Sequence, residues 1–250
     1  MAQYKAIIFD LFNTVTLWDS ARMPTLQIDG IKKHTTLGSL EKTLRVEVPE
    51  MRFGDFSAAL TITNLELAKA RKESMREVSS QERFERTLIR AGFQDEGTLH
   101  DKAAALSIAH MGVLKFASNV PPKHKKTLEL LKKKHKIGLL SNFDHAATAR
   151  EILNRDGVFD CFDSIVVSDE HGLRKPHSKI FLDALNSLGV SRQECLFVGD
   201  SPEDDVVGAT QAGIDVAWVN PTFSDVPHHI AAPQFTIKNI TEIPRILGED

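Results

Sequence analysis

The chain has 250 residues, of which 42% are hydrophobic and 26% are charged, and its formal net charge is −3. This composition is ordinary for a globular protein, and the absence of a basic excess argues against a nucleic-acid-binding face. Cys161 and Cys195 lack metal-ligand spacing and are predicted to be reduced core residues. No apolar run has membrane-spanning length, and the first predicted strand begins too early for a signal peptide. We expect a soluble cytoplasmic protein, monomeric or homodimeric, without nucleic-acid or membrane partners.

The N-terminal segment begins with the apolar run 6–9, which is typical of a strand buried on both faces. The run stops at Asp10, and a carboxylate at the carboxyl end of a central strand lies where open α/β sheets bind their ligands. Taken alone, Asp10 could equally end the strand or cap the segment that follows it.

Residues 18–116 show helical patterns instead of strand patterns. The first predicted helix covers residues 57–78, with the apolar positions Leu60, Ile62, Leu65, Leu67 and Met75. Ser79 and Glu82 fit a capping box that opens a second helix, which should stop near Gly92. A third helix is predicted across residues 99–114. We expect residues 18–116 to form a separate module inserted into a core domain made of residues 1–17 and 117–250.

Beyond Pro121 and Pro122, strand and helix patterns alternate. The predicted strands cover residues 137–140, 164–167, 195–198 and 215–219. The predicted helices cover residues 123–134, 146–154, 179–188 and 203–211. Such alternation predicts an α/β fold, a mostly parallel sheet with helices on both faces, which the N-terminal strand must join.

Polar side chains follow four of the predicted strands. They are Asp10 and Thr14, Ser141 and Asn142, Lys175, and Asp200 with Asp204 and Asp205. Because parallel strands end at the same edge of a sheet, we expect these side chains to share one crevice. Hydroxyl, amide and lysine groups suit a small anionic substrate, and Asp10 with Asp200 could share a hard cation such as Mg²⁺.

These four segments together resemble the motifs of the haloacid dehalogenase-like (HAD) superfamily of hydrolases. The matching residues, in chain order, are 10–14, 140–142, 175–176 and 198–205, followed by Gly208 and Ala209. The resemblance implies a Rossmann-like, doubly wound parallel sheet with a smaller α-helical cap domain inserted after the first motif. It also implies that Asp10 is a nucleophile that forms an aspartyl-enzyme intermediate, and that Lys175 orients it.

The resemblance assigns roles to the remaining motif positions as well. Substrate binding would fall to Phe12, Asn13, Thr14, Ser141 and Asn142. A Mg²⁺ ion would be bound by Asp10, the backbone carbonyl of Phe12 and Asp200, with Asp204 and Asp205 as supporting acids.

Phe12 departs from the pattern of the superfamily's phosphatases, which carry there a second Asp that protonates the leaving alkoxide. Phenylalanine cannot act as a general acid, and such catalysis contributes roughly 10²–10⁴ in rate. The 2-haloacid dehalogenases of the superfamily have an aromatic residue at this position, because a halide leaves as a stable anion. Asn13 replaces the usual glycine, which is tolerable if the residue adopts a left-handed conformation.

The fourth motif, in contrast, resembles that of metal-dependent phosphatases. Asp200 and its neighbouring acids would repel Asp10 unless a cation balanced them. We therefore favour a Mg²⁺-dependent phosphatase of small phosphorylated metabolites. The alternatives are a metal-free 2-haloacid dehalogenase and a weakly active binding module. The hydrolytic base stays open between the supporting acids and the histidines His34, His145 and His171.

Overall fold

The computed structural model describes residues 4–28 and 30–249. The strands within them are β1 (Ala6–Phe9), β2 (Leu17–Trp18), β3 (Thr25–Ile28), β4 (Ile31–His34), β5 (Ser118–Asn119), β6 (Lys136–Ser141), β7 (Ser164–Val167), β8 (Cys195–Gly199), β9 (Asp215–Val219) and β10 (Phe235–Ile237). The α-helices are α1 (Leu37–Glu47), α2 (Phe53–Ser74), α3 (Ser80–Arg90), α4 (Glu96–Ala117), α5 (Pro122–Leu131), α6 (Ala146–Arg155), α7 (Ser168–His171), α8 (Ser178–Leu188), α9 (Val207–Ala212) and α10 (Ile243–Leu247).

The chain divides into two compact units. The described residues up to Trp18, together with those from Asn119 onward, form an α/β unit, and the residues between them form a helical unit. The chain therefore crosses between the units twice, after Trp18 and after Ser118.

A six-stranded parallel sheet organises the α/β unit, in the order β10-β9-β8-β1-β6-β7. β1 lies between β6 and β8, with Ile8 in register with Gly138 on one side and Phe197 on the other. All four residues of β1 are buried, as an apolar run on a central parallel strand requires. The strand order reverses around β1, and ligands of such folds bind at this reversal. The predicted doubly wound α/β fold is confirmed.

One face of this sheet packs against α8. The buried α8 residues Ile180, Phe181 and Leu188 belong to the same apolar cluster as Ile8 and Phe197. Helix α8 ends at Gly189, whose φ of 64° is the left-handed conformation that favours glycine. Cys161 and Cys195 are both buried and free, as predicted. The strand β10 was not predicted, because its three residues mix Phe, Thr and Ile without a longer apolar run.

The helical unit has a core of its own, formed by α1 to α4. Phe56 and Phe84 are fully buried there, with their ring centroids 6.4 Å apart, and Leu40 and Leu106 belong to the same cluster. The antiparallel hairpin β3–β4 belongs to this unit and was not predicted. All four residues of β4 are exposed, so this strand carries no buried apolar alternation that a sequence pattern could reveal.

Helix α2 differs from its prediction in both position and buried face. It begins four residues earlier than expected, at Phe53, and ends at Ser74 because Met75 adopts a left-handed conformation with a φ of 52°. Ile62 and Leu65 are 45% and 68% exposed. The buried positions are Phe56, Ala59, Leu60, Thr63 and Leu67. The prediction that Ile62, Leu65 and Met75 share the apolar face was therefore wrong, because the buried face follows the helical spacing that starts at Phe56.

The predicted cap of α3 is half present. The Ser79 hydroxyl accepts a hydrogen bond from the Glu82 backbone N–H at 3.1 Å, as an N-cap does. The Glu82 side chain pairs with Arg86. In the C-terminal part, the predicted helix 123–134 ends earlier, at Leu131. Among the described helices, none combines the length and apolar character that crossing a bilayer requires.

Candidate active site

A cavity of about 150 Å³ lies at the carboxyl ends of the central strands of the α/β unit. Asp10 follows β1, Asn142 follows β6 and Asp200 follows β8. The residues that line the cavity are Asp10, Phe12, Asn13, Asn142, Lys175, Asp200, Ser201, Asp204 and Asp205. Eight of these nine are predicted site residues, six from the strand ends and Phe12 and Asn13 from the family resemblance, and the structure brings them together.

Thr14 and Ser141 are the predicted site residues that do not line this cavity. Both are fully buried, and in the described part of the chain neither hydroxyl oxygen has a hydrogen-bond partner. A buried polar atom without a partner costs free energy. Their role as substrate-binding residues stays a prediction.

Lys175 is the centre of the charge arrangement. Its Nζ donates hydrogen bonds to Oδ1 of Asp10 and to Oδ1 of Asp205, each at 2.6 Å. The side chains of Lys175 and Asp205 are each 1% exposed. Burying these charges is possible only because they are paired and hydrogen-bonded. Lys175 therefore fixes one oxygen of the predicted nucleophile.

The turn after β8 holds Asp205 in place. The Ser201 backbone N–H donates to Oδ2 of Asp205 at 3.0 Å, and a single π-helical turn, Pro202–Val206, follows. A Cβ atom on Gly199 would lie 2.3 Å from Oδ2 of Asp205, so only glycine permits this close approach. Ser201 lines the cavity but was missed as a site residue. Its signal in the sequence is the Ser-Pro pair after Gly199 and Asp200, which is typical of a helix start.

Asn142 connects β6 to the segment that carries Lys175. Its side-chain carbonyl accepts from the Lys175 backbone N–H at 2.7 Å, and its amide donates to the Lys175 carbonyl at 2.9 Å. The same amide donates to Oδ2 of Asp204 at 3.1 Å. Both side-chain atoms of Asn142 are thus used to position Lys175 and Asp204, in addition to the predicted contact with substrate.

Burial and mutual repulsion raise the pKa values of Asp10 and Asp200 in the cavity. Burial raises the pKa of Asp10 to about 7, with Asp205 and Asp200 acting in the same direction and Lys175 opposing them. Burial and Asp205 raise the pKa of Asp200 to about 6. Burial alone would lower the pKa of Lys175, but Asp10 and Asp205 outweigh it and raise that pKa above its ordinary value. One ammonium group therefore does not balance the carboxylates around it.

Carboxylate oxygens of Asp10, Asp200 and Asp205 lie within 4.8 Å of one another. Hard oxygen ligands in this number suit Mg²⁺, and the excess negative charge gives a cation a reason to bind. The residues present therefore fit the predicted ion. The group includes Asp205, which the sequence had placed only as a supporting acid, and the backbone carbonyl of Phe12 stays a predicted ligand.

Phe12 and Asn13 form the remaining wall of the cavity. Asn13 has a φ of 57°, the left-handed conformation expected of it, and its amide donates to Oδ2 of Asp200 at 3.2 Å. The Phe12 ring packs edge-to-face against Phe143 and Trp18, at centroid distances of 4.8 Å and 5.5 Å. The contact with Trp18 was not predicted, because nothing in the sequence places residue 18 beside residue 12.

The three histidines considered as bases do not line the cavity. His145 caps α6 by accepting from the Thr148 backbone N–H, and His171 bonds to Asp183 at 2.8 Å. In the helical unit, His34 bonds to a backbone carbonyl oxygen. Each has a structural partner that explains its presence, and the hydrolytic base stays open.

Comparison with known proteins identifies the family. A sequence model of the haloacid dehalogenase-like hydrolases matches residues 4–213. Because the match covers most of the chain, the protein belongs to the haloacid dehalogenase-like hydrolase family. The resemblance inferred from the four motifs is confirmed.

Several curated relatives are phosphatases. The chain is 31% identical to glyceraldehyde 3-phosphate phosphatase of Methanothermobacter thermautotrophicus over 195 residues, which are 76% of this chain and 84% of that protein. It is 37% identical to pyrimidine 5'-nucleotidase of Escherichia coli over 113 residues, 45% of this chain and 49% of that protein. For human N-acylneuraminate-9-phosphatase the identity is 32% over 124 residues, 49% of this chain and 50% of that protein. The matches to the last two thus span about half of each relative.

Solved structures share the fold. A 2-haloacid dehalogenase from Pseudomonas syringae superposes with a TM-score of 0.74 at 24% identity, over 98% of this chain and 99% of the other. A HAD phosphatase from Thermococcus onnurineus superposes with a TM-score of 0.63 at 22% identity, over the same shares. At this identity the likeness shows the fold alone, and the fold is shared by phosphatases and dehalogenases.

Proposed function

We propose that the protein is a Mg²⁺-dependent phosphatase of small phosphorylated metabolites, with Asp10 as its nucleophile. The observation that carries the proposal is the group of three carboxylates, Asp10, Asp200 and Asp205, beside the single buried Lys175. Asp10, Asp200 and the backbone carbonyl of Phe12 would hold the ion, with Asp205 beside them, and the ion when bound supplies positive charge to the carboxylates and to phosphoryl oxygens. The phosphatases among the relatives support the same reaction class.

The Asp10 carboxylate attacks phosphorus in the first step of this proposal. A bond forms between the carboxylate oxygen and phosphorus, and the ester oxygen leaves with the bonding electrons. Water then attacks the aspartyl-phosphate and releases inorganic phosphate and free Asp10. Lys175 holds Oδ1 of Asp10 at 2.6 Å, which leaves Oδ2 for the attack. Asn142 contributes by holding the Lys175 backbone at both its N–H and its carbonyl.

Phe12 limits which esters react well. An alkoxide leaving group needs a proton, and the phenyl ring cannot supply one. We therefore expect the enzyme to favour phosphate esters whose alcohol leaves readily as an anion.

A second candidate function is metal-free dehalogenation of a 2-haloacid. The observation that favours it is the aromatic ring of Phe12 in the cavity, packed against Phe143 and Trp18. Halide departs as a stable anion, so the missing proton donor would cost nothing in that reaction. Dehalogenation is the second choice because of the excess of carboxylates around Lys175. Without a metal ion, these uncompensated acids would disfavour binding of an anionic haloacid.

We propose that the helical unit, whose bounds Asp19–Ser118 lie within two residues of the predicted 18–116, acts as the cap domain of this hydrolase. The protein would work in the cytoplasm on free small molecules, as a monomer or homodimer.

A paired assay tests the proposed function. Wild-type protein should release phosphate from p-nitrophenyl phosphate only with Mg²⁺, and should release no chloride from 2-chloropropionate. Asp10→Asn should abolish phosphate release because the amide is not a nucleophile. The exposed Asp225→Asn is the matched control and should retain full activity. Phosphate release by folded Asp10→Asn would show that Asp10 is not the nucleophile. Chloride release in EDTA would show that the protein is a dehalogenase and not a phosphatase.

A further inference from the structure

The cavity is small for a substrate-binding site. Its volume is about 150 Å³, whereas sites that enclose small molecules commonly measure roughly 300–1,000 Å³. Eight of its nine lining residues are polar or charged. The cavity therefore accommodates the compact anionic group of a substrate, and the rest of the molecule must contact residues around it.

The single apolar lining residue is Phe12. Its ring contacts two further aromatic rings that differ in exposure. Phe143 is 9% exposed, so ordinary core packing explains its position. Trp18 is 40% exposed, although burying an indole ring would be favourable. Aromatic surface thus extends from the wall of the acidic cavity to an exposed indole.

We propose that Phe12 and Trp18 form a subsite for an aromatic ring attached to the anionic group of the substrate. The ligand class is a phosphate monoester that carries an aryl or heteroaryl group. This inference rests on the proposed phosphatase function and narrows its substrates. Edge-to-face and offset-stacked rings contribute about 0.5–1.5 kcal/mol beyond area burial, which corresponds to roughly 2- to 12-fold in affinity.

The chemistry of the leaving group agrees with this geometry. The pKa of a phenol is about 10, whereas the pKa of water is about 15.7 and aliphatic alcohols are similarly weak acids. A phenolate therefore departs with far less need of a proton than an alkoxide. The same Phe12 ring that supplies no proton would bind the kind of leaving group that needs one least.

Non-hydrolysable phosphonates test the subsite without turnover. Binding of phenylphosphonate and methylphosphonate to the full chain with Mg²⁺ is measured by isothermal titration calorimetry. Wild-type protein should bind phenylphosphonate about tenfold more tightly. Trp18→Ala should lose most of that preference while its affinity for methylphosphonate stays unchanged, and Trp18→Phe should restore most of the preference.

Leu17→Ala is the matched control. Leu17 precedes Trp18 and is 42% exposed, yet it carries no ring, so this variant should keep the wild-type preference. If methylphosphonate binds and phenylphosphonate binds no more tightly, the aromatic subsite is wrong while the anion site stands. A preference that survives in folded Trp18→Ala also overturns the subsite. If neither phosphonate binds, the proposed phosphatase fails and the subsite fails with it.

Discussion

The buried Lys175 group of the α/β unit contrasts with exposed ion pairs on helices α1 and α3 of the helical unit. In the helical unit, Arg45 pairs with Glu41, and Arg86 pairs with Glu82, and both arginine side chains are at least half exposed. In the α/β unit, the Lys175 side chain is 1% exposed and pairs with two buried carboxylates. The helical unit also has a partly buried pair, Arg71 with Glu77, in which the Glu77 side chain is 1% exposed.

This difference indicates what the charges are for. Exposed pairs contribute little to stability and keep a helical surface solvated. Buried ion pairs carry a desolvation cost that apolar packing would avoid, so they are weak grounds for stability. The Lys175 arrangement lies where the parallel strands end, and its cost is understandable if the charges serve the chemistry of the cavity.

Removing the buried ammonium should have the largest effect. In Lys175→Met, Asp10 and Asp205 would remain buried without their shared partner, which typically costs about 3–5 kcal/mol in the free energy of unfolding. Urea unfolding in metal-free buffer measures this loss, and phosphate release should be abolished. The matched control is Lys179→Met, because Lys179 is 61% exposed and pairs with Asp183 at 2.8 Å. Lys179→Met should lower the free energy of unfolding by less than about 0.5 kcal/mol. Equal losses in the two variants would contradict the contrast between buried and exposed lysines.

Restoring an acid at Phe12 should raise activity on poor leaving groups. Phe12→Asp supplies a proton donor beside Asp10, and general acid catalysis is worth roughly 10²–10⁴ in rate. We expect kcat/KM for an alkyl phosphate to rise at least about tenfold. The expected rise is smaller than the full effect of general acid catalysis because the new side chain loses the contacts with Phe143 and Trp18. Phe12→Asn introduces a side chain of nearly the same shape as aspartate but without an acidic proton, so its kcat/KM for an alkyl phosphate should not rise. An equal rise in both variants would mean that space, not acid catalysis, limits the reaction.

The cavity should also make stability depend on pH in the absence of divalent cations. The pKa of Asp10 is raised from 3.8 to about 7 and that of Asp200 to about 6, so the folded state binds more protons than the unfolded state between these limits. Stability therefore falls as pH rises through this window. In EDTA, the contribution of these groups should make Tm higher at pH 5 than at pH 8.

Asp200→Asn is the control for this pH dependence, because it removes one raised acid and relieves its repulsion of Asp10. The fall in Tm between pH 5 and pH 8 should be smaller in this variant than in wild type. Added Mg²⁺ should also reduce the fall in wild type, because a bound cation favours the charged carboxylates. If Tm falls as much in Asp200→Asn as in wild type, the pH dependence arises from groups outside the cavity.

The α/β unit was largely predictable because its strands are contiguous apolar runs that stop at polar residues. The run at β1 and its end at Asp10 needed no knowledge of distant contacts. The helical unit was less predictable. Its hairpin β3–β4 has exposed residues throughout β4, and Met75 ends α2 in a conformation that its side chain does not signal.

The pairing of the acids in the cavity could not be predicted for a different reason. Asp204 and Asp205 are adjacent in the chain, yet Asp204 accepts from Asn142 and Asp205 accepts from Lys175. Only the backbone path through the turn after Ser201 decides which carboxylate points to the lysine. The strand ends identify the set of residues, whereas the partners within the set depend on three-dimensional geometry.

An exposed pair of the helical unit should show the smallest effect. Arg86 and Glu82 are 50% and 46% exposed in their side chains and lie one helical turn apart on α3. Arg86→Ala should lower the free energy of unfolding by no more than about 0.5 kcal/mol, because exposed pairs at this spacing contribute about 0.3–0.5 kcal/mol. The coupling measured in a double-mutant cycle with Glu82→Ala should shrink further in 1 M salt, where charges are screened within about 3 Å. A salt-independent coupling above about 1.5 kcal/mol would instead place this pair with the buried Lys175 arrangement, and the contrast between exposed and buried charges would not hold.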